Sequence, residues 1–161
     1  MTATTIAFLV IVNALAWLVI HLGFAWGGTR LPADRFNPDA WWYRPRAFER
    51  KGRIYERWFG VRRWKDLMPD GAGWFKGGFR KRGLRMTEDA YLERFVVETC
   101  RGEFVHWMVL TAGLLFFIWN TVDVALIMVL YAVIANVPCI VIQRYNRIRL
   151  RRLLDRKTKR E

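Results

Sequence analysis

The chain has 161 residues, 53% of them apolar and 25% charged, and carries a net charge of +13. Two such large populations must be segregated along the chain, which excludes an ordinary water-soluble domain. Membrane topology also accounts for the basic charge, so no nucleic-acid partner is implied.

Residues 6–25 hold no formal charge with His21 neutral, and at helical rise they reach roughly 30 Å, the hydrocarbon thickness. This predicts a first span that ends at Trp26, an interfacial anchor, where Gly27, Gly28 and Pro32 stop the helix. Its leading residues Met1 to Thr5 lack a basic side chain and its apolar run is long for a signal peptide, so an uncleaved anchor is expected. Within the span, Asn13 is expected to hydrogen-bond a neighbouring helix. His21, nearer the cytoplasmic end, could approach His106.

Residues 27–103 contain 18 basic and 11 acidic side chains. From Pro38 to Asp70, eight aromatic residues (among them Trp41, Trp42, Trp58 and Trp64) alternate with nine Arg or Lys, which predicts a layer seated on the membrane surface. Gly71 to Gly83 has five glycines with Trp74, Phe75 and Phe79, the pattern of a mobile loop able to dip rings among head groups. Gly73 and Gly78 have phosphate-loop spacing, but Phe79-Arg80 replaces the required Lys-Ser/Thr. A helix should begin after Thr87, with Glu88 and Asp89 suiting its N-terminus. Tyr91, Leu92, Phe95, Val96 and Thr99 then give it an apolar stripe. It is expected to lie on the surface and turn near Gly102 into the second span, one continuous long helix being the alternative.

The second and third spans are expected at about 104–119 and 124–142, separated by the turn-forming group Asn120, Thr121 and Asp123. Asn136 and Pro138 mark a kink in the third. The tail 143–161 has nine basic and two acidic residues. Because short cytoplasmic flanks collect Lys and Arg, the N-terminus is placed outside, and 27–103 and the C-terminus inside. The expectation is thus an all-α, multi-pass protein of the inner (cytoplasmic) membrane. It has about three transmembrane helices plus cytoplasmic amphipathic or interfacial helices, in a single membrane domain.

Ionisable groups concentrate where water gives way to hydrocarbon, in the string from Glu98 to Trp107. Glu103 and His106 stand three apart on one helix face, so the carboxylate can orient the imidazole as a proton acceptor. Glu98, Glu103 and His106 are the catalytic candidates; an interfacial histidine that only bonds a neighbouring helix or a lipid phosphate is the plainer alternative. Arginine forks bind phosphate oxygens, so Arg144 and Arg147 in Gln143-Arg144-Tyr145-Asn146-Arg147, together with Arg101, Arg62 and Lys65, are candidates to hold substrate or lipid. Asn136, Gln143 and Asn146 complete that set. Cys100 and Cys139 suggest small filler, and no metal site is expected. The chain has no serine, which leaves a serine nucleophile without support.

Taken together, Gly28-Thr29-Arg30, Trp58-Phe59, Val61-Arg62, Trp64-Lys65, Asp70-Gly71, Glu98-Thr99, Arg101, Glu103 and His106-Trp107 form an ordered series. Ala135-Asn136-Val137-Pro138 and Gln143 through Arg147 extend it. In this series the chain resembles the glycosyl-4,4′-diaponeurosporenoate acyltransferases, from Gly28 to Leu154. The resemblance implies transfer of a fatty acyl group to a sugar hydroxyl of a lipophilic glycosylated acceptor. It implies an acyl donor such as a thioester as co-substrate, and no cofactor. His106 would act as base, Glu103 would orient it, and Arg101 or Arg144 and Arg147 would hold the donor or the oxyanion. The competing expectation is a non-catalytic membrane subunit that braces other enzymes of a lipid pathway. A homodimer sharing a lipid cavity also fits three spans, although no Gly-x-x-x-Gly face marks one.

Overall fold

The computed structural model describes residues 2–67 and 89–159. Three helices are long and apolar enough to cross a membrane: α1 (Ala3–Arg30), α4 (Asp89–Ala112), which runs on through a 3-10 segment Gly113–Ile118, and α5 (Val122–Thr158). Between α1 and α4 lie short helices α2 (Arg53–Phe59) and α3 (Val61–Trp64), preceded by 3-10 turns at Ala33–Arg35 and Ala47–Gly52. The described residues contain no strand. The expected glycine-rich loop and the Thr87 helix cap lie outside the described residues.

The three long helices contain the segments expected as spans, and their ends differ from expectation in two places. Gly27 and Gly28 do not stop α1, which continues to Arg30 and leaves helical geometry only at Leu31, before Pro32. Gly28 serves a packing purpose inside the helix: a Cβ there would overlap Val105 Cγ2 of α4. Nor does the second helix turn at Gly102; α4 is continuous, the alternative reading, and Gly102 lies under the Gln143 side chain. The basic tail prolongs the third span as one helix, and Pro138 is carried inside it.

α4 and α5 pack antiparallel along their length, and α1 leans on α4. Trp17, Val109, Phe116 and Ala132 form the core between the spans, with Trp17 stacked on Phe116 at a centroid distance of 4.6 Å. Outward-facing Phe8, Val19, Leu126 and Ile134 are exposed, as lipid-facing side chains must be. Asn13 bonds another helix as expected. It exchanges two 3.0 Å hydrogen bonds with Asn120 and accepts one from Trp119 Nε1 at 2.8 Å. This ties α1 to the turn between α4 and α5. His21 does not turn to His106; its Nδ1 meets the Trp17 carbonyl at 2.9 Å, one turn back in α1.

The 41–67 segment folds as a cap on α5. Tyr55 and Val61 pack against Ile142, Tyr145 and Ile148, just past the apolar stretch of the third span. A left-handed run at Arg50, Lys51 and Gly52 (φ 47°, 58° and 88°) folds the chain back. Gly52 lies against Ile148 there, 3.5 Å from a would-be Cβ. At the far end, Leu92, Phe95 and Val96 close on Leu150.

Candidate functional site

Two polar layers lie in the α4–α5 interface. The first is charged and centres on Glu103, whose neighbours in α4 at one turn are Cys100 and Trp107. Arg144 Nη1 reaches Glu103 Oε1 at 2.9 Å, and Arg147 Nη2 donates to Glu103 Oε2. Arg144 and Arg147, three apart on α5, present both guanidiniums to α4. Arg144 turns its other edge to Glu49 of the cap, with Nε 2.9 Å from Oε1 and Nη2 3.3 Å from Oε2. Glu49 also accepts from the Tyr55 hydroxyl and from the Arg46 backbone N–H, which closes the 3-10 turn. Arg147 Nε donates to the Tyr43 carbonyl at 3.0 Å and Nη1 to Cys100 Sγ at 3.6 Å.

Two carboxylates thus face two guanidiniums, and the cluster is neutral as a unit. Glu49 is 0% exposed, Arg147 1% and Glu103 3%, so each charge depends on its partners for the solvation it has lost. Burial alone would raise the Glu49 carboxyl, but hydrogen bonds from Arg144, Tyr55 and the Arg46 backbone outweigh it and hold the group below the usual carboxylate range. Burial, then the Glu49 charge beside it, pushes the Tyr55 phenol up.

The second layer is the pair His106 and Asn136. His106 Nδ1 and Asn136 Oδ1 are 3.0 Å apart, while Asn136 Nδ2 donates to the Ala132 carbonyl at 2.9 Å. That second bond fixes the amide, leaving its oxygen toward the ring. An amide oxygen can only accept, so Nδ1 carries the proton and Nε2 carries the lone pair of the neutral imidazole. Asn136 is 1% exposed, whereas His106 is half-buried. Such an imidazole has the chemistry of a general base with a fixed tautomer.

The expected Glu103–His106 couple is therefore corrected. Glu103 is taken up by Arg144 and Arg147, and Asn136, thirty residues along the chain, holds the ring instead. Glu98 is drawn away too: both of its oxygens lie 3.0 Å from Arg101 Nη1, and Arg101 Nη2 donates to the Leu31 carbonyl at 3.3 Å. Arg101 thereby clamps the end of α1, with its guanidinium 5.3 Å from the Phe36 ring centroid, though its buried Nε has no hydrogen-bond partner among the described residues. Gln143 covers Gly102, and Asn146 lies half-buried on α5 beside Arg147. Arg62 and Lys65 lie apart on the cap, Arg62 at the edge of an open depression of about 440 Å³. Sequence reasoning passed over Glu49 and read Cys100 as filler; a lone carboxylate among arginines at positions 44–53 was the available signal.

Residues 39–156 match the family model described as glycosyl-4,4′-diaponeurosporenoate acyltransferase. A relative of that name from Staphylococcus aureus strain N315 is 35% identical over 141 residues, covering 88% of this chain and 85% of its own length. The relative of the same name from strain MRSA252 is 36% identical over the same shares. No solved structure matches.

Proposed function

The chain belongs to the glycosyl-4,4′-diaponeurosporenoate acyltransferase family and is a membrane acyltransferase, and from that premise we propose that it esterifies a sugar hydroxyl of a glycosylated carotenoid-type acceptor with His106 as general base. Neutral His106 takes the hydroxyl proton on Nε2 while its Nδ1–H stays on Asn136. The hydroxyl oxygen bonds to the acyl carbonyl carbon, the bond from that carbon to the donor's leaving group breaks, and the imidazolium returns its proton to the leaving group. The reaction as drawn needs a donor co-substrate and no cofactor. Glu103, Arg144 and Arg147 serve it by fixing the α4–α5 register rather than by touching substrate. The basic cap and tail face the cytoplasm and the N-terminus lies outside, by the charge rule.

The observation that carries this reading is the 3.0 Å contact of Nδ1 of a half-buried histidine with the Asn136 amide oxygen, beside lipid-facing helix surface. A histidine at that depth is costly and marks function more often than filler. The test is acyl transfer by purified, lipid-reconstituted protein, with mass spectrometry of an acceptor gaining one fatty acyl mass. Loss of the product in a folded His106→Ala variant is expected. Near-normal turnover would overturn the assignment.

A further inference from the structure

The chain's arginines divide sharply once their partners are seen. Arg101, Arg144, Arg147 and Arg151 are each paired with a carboxylate of the chain. The side chains of exposed Arg50, Arg53, Arg57, Arg62 and Arg63 make no ion pair or hydrogen bond among the described residues, and all five border two adjoining depressions on the cap. The larger, about 840 Å³, takes Arg50, Arg53 and Arg57; Arg57 and Glu56 are shared with the smaller, where Arg62 and Arg63 lie. Glu56, the carboxylate they share, is engaged by the Tyr145 hydroxyl at 2.6 Å.

The lining is not only charged. Phe48, Ile54 and Trp58 form the apolar part of the larger depression, with Trp58 77% exposed and Phe48 63%. A rim of guanidiniums over aromatic and aliphatic surface fits a ligand with a phosphate at one end and an acyl chain at the other. Location agrees: Tyr55 and Val61, on the same short helices, pack on α5 at Ile142 to Ile148, just past the apolar stretch of the third span. The strained left-handed backbone at Arg50 and Lys51 sets Arg50 at this rim.

We propose that this trough binds the phosphate of an acyl-bearing amphiphile, the chemistry shared by a membrane glycerophospholipid and a phosphorylated acyl thioester. That the amphiphile is the acyl donor rests on the acyl-transfer reading above; its binding in the trough does not.

Wild type, Arg50→Gln/Arg53→Gln/Arg57→Gln and a charge-matched control, Arg35→Gln/Arg156→Gln/Lys159→Gln, are reconstituted in zwitterionic nanodiscs. Three probes are titrated: palmitoyl-coenzyme A, phosphatidylglycerol followed by native mass spectrometry, and palmitate, which lacks phosphate. The trough variant should bind at least one phosphate probe about tenfold or more weakly than the control does, with palmitate unchanged. Selective loss of palmitoyl-coenzyme A identifies the donor as occupant, and selective loss of phosphatidylglycerol identifies a structural lipid. If both phosphate probes bind the trough variant and the control alike, or if palmitate falls in parallel, the proposal is overturned. Should the triple variant fail to fold, Arg57→Gln and Arg62→Gln/Arg63→Gln carry the same comparison. Because His106→Ala is expected to keep full probe binding, failure of the base assignment and failure of the trough read out separately.

Discussion

Glu103 and His106 stand less than one turn apart on α4, yet they occupy opposite kinds of environment. Around Glu103 every charge has an opposite: Glu49, Arg144, Glu103 and Arg147 close a neutral chain from the cap to α4. Around His106 the structure places a neutral amide, itself tied to its own helix. A group whose capacity is filled by permanent ionic partners cannot also exchange protons with a substrate, whereas the His106 ring is oriented at Nδ1 by an uncharged amide. The difference separates a charged layer that holds the helices in register from a dyad suited to chemistry, and each variant below breaks or sharpens it.

The largest effect is expected at His106. In protein that is folded and membrane-inserted, His106→Ala should lower acyl transfer about 10²–10⁴-fold with the melting temperature little changed. In the charged layer the order reverses. Glu103→Leu strands the buried Arg147 guanidinium and leaves Arg144 only its Glu49 partner, and should cost about 3–5 kcal/mol of stability, read as a lowered detergent melting temperature. Pairing it with Arg147→Leu should recover part of that loss, and a double variant no better than additive would show that the two residues are not coupled.

Asn136→Leu should be milder, since it removes the one hydrogen bond that orients His106, worth about 1 kcal/mol: roughly fivefold in kcat with KM unchanged. The smallest effect is that of acid on the cap. The Glu49 carboxyl is held below its unfolded value of about 4.3, so its stabilisation is whole above that pH and is lost as pH falls through the lower folded value. Protease sensitivity of the 41–67 segment should rise in that window, and Glu49→Gln should flatten the dependence.

Hydropathy made the three spans legible because a run of some twenty uncharged residues has few alternatives in sequence space. Asn13 was legible for the same reason, a lone amide in hydrocarbon needing another helix. The partners of Glu103 were not, because spacing reveals only neighbours within a turn while Arg144 and Arg147 arrive from forty residues away. Glu49 was hidden among nearby basic residues that its exposed surroundings alone would explain. The close helix approaches escaped a search for Gly-x-x-x-Gly, although Gly102 and Gly113, eleven residues apart, return to one face after three turns; a Cβ at Gly113 would lie 3.0 Å from Ala132 Cβ.

The unbroken length of α5 couples features that would otherwise be independent. Asn136 and Arg147 are separated by three helical turns, about 16 Å, on one rod that runs from the α4–α5 turn to the tail. The spacing between the His106–Asn136 layer and the charged collar is therefore quantised by the helix. Adding a single residue between them would swing one group about 100° out of line while its counterpart stayed engaged. Evolution could lengthen the reach of this catalyst into the bilayer only in whole-turn increments, or by rebuilding both ends at once.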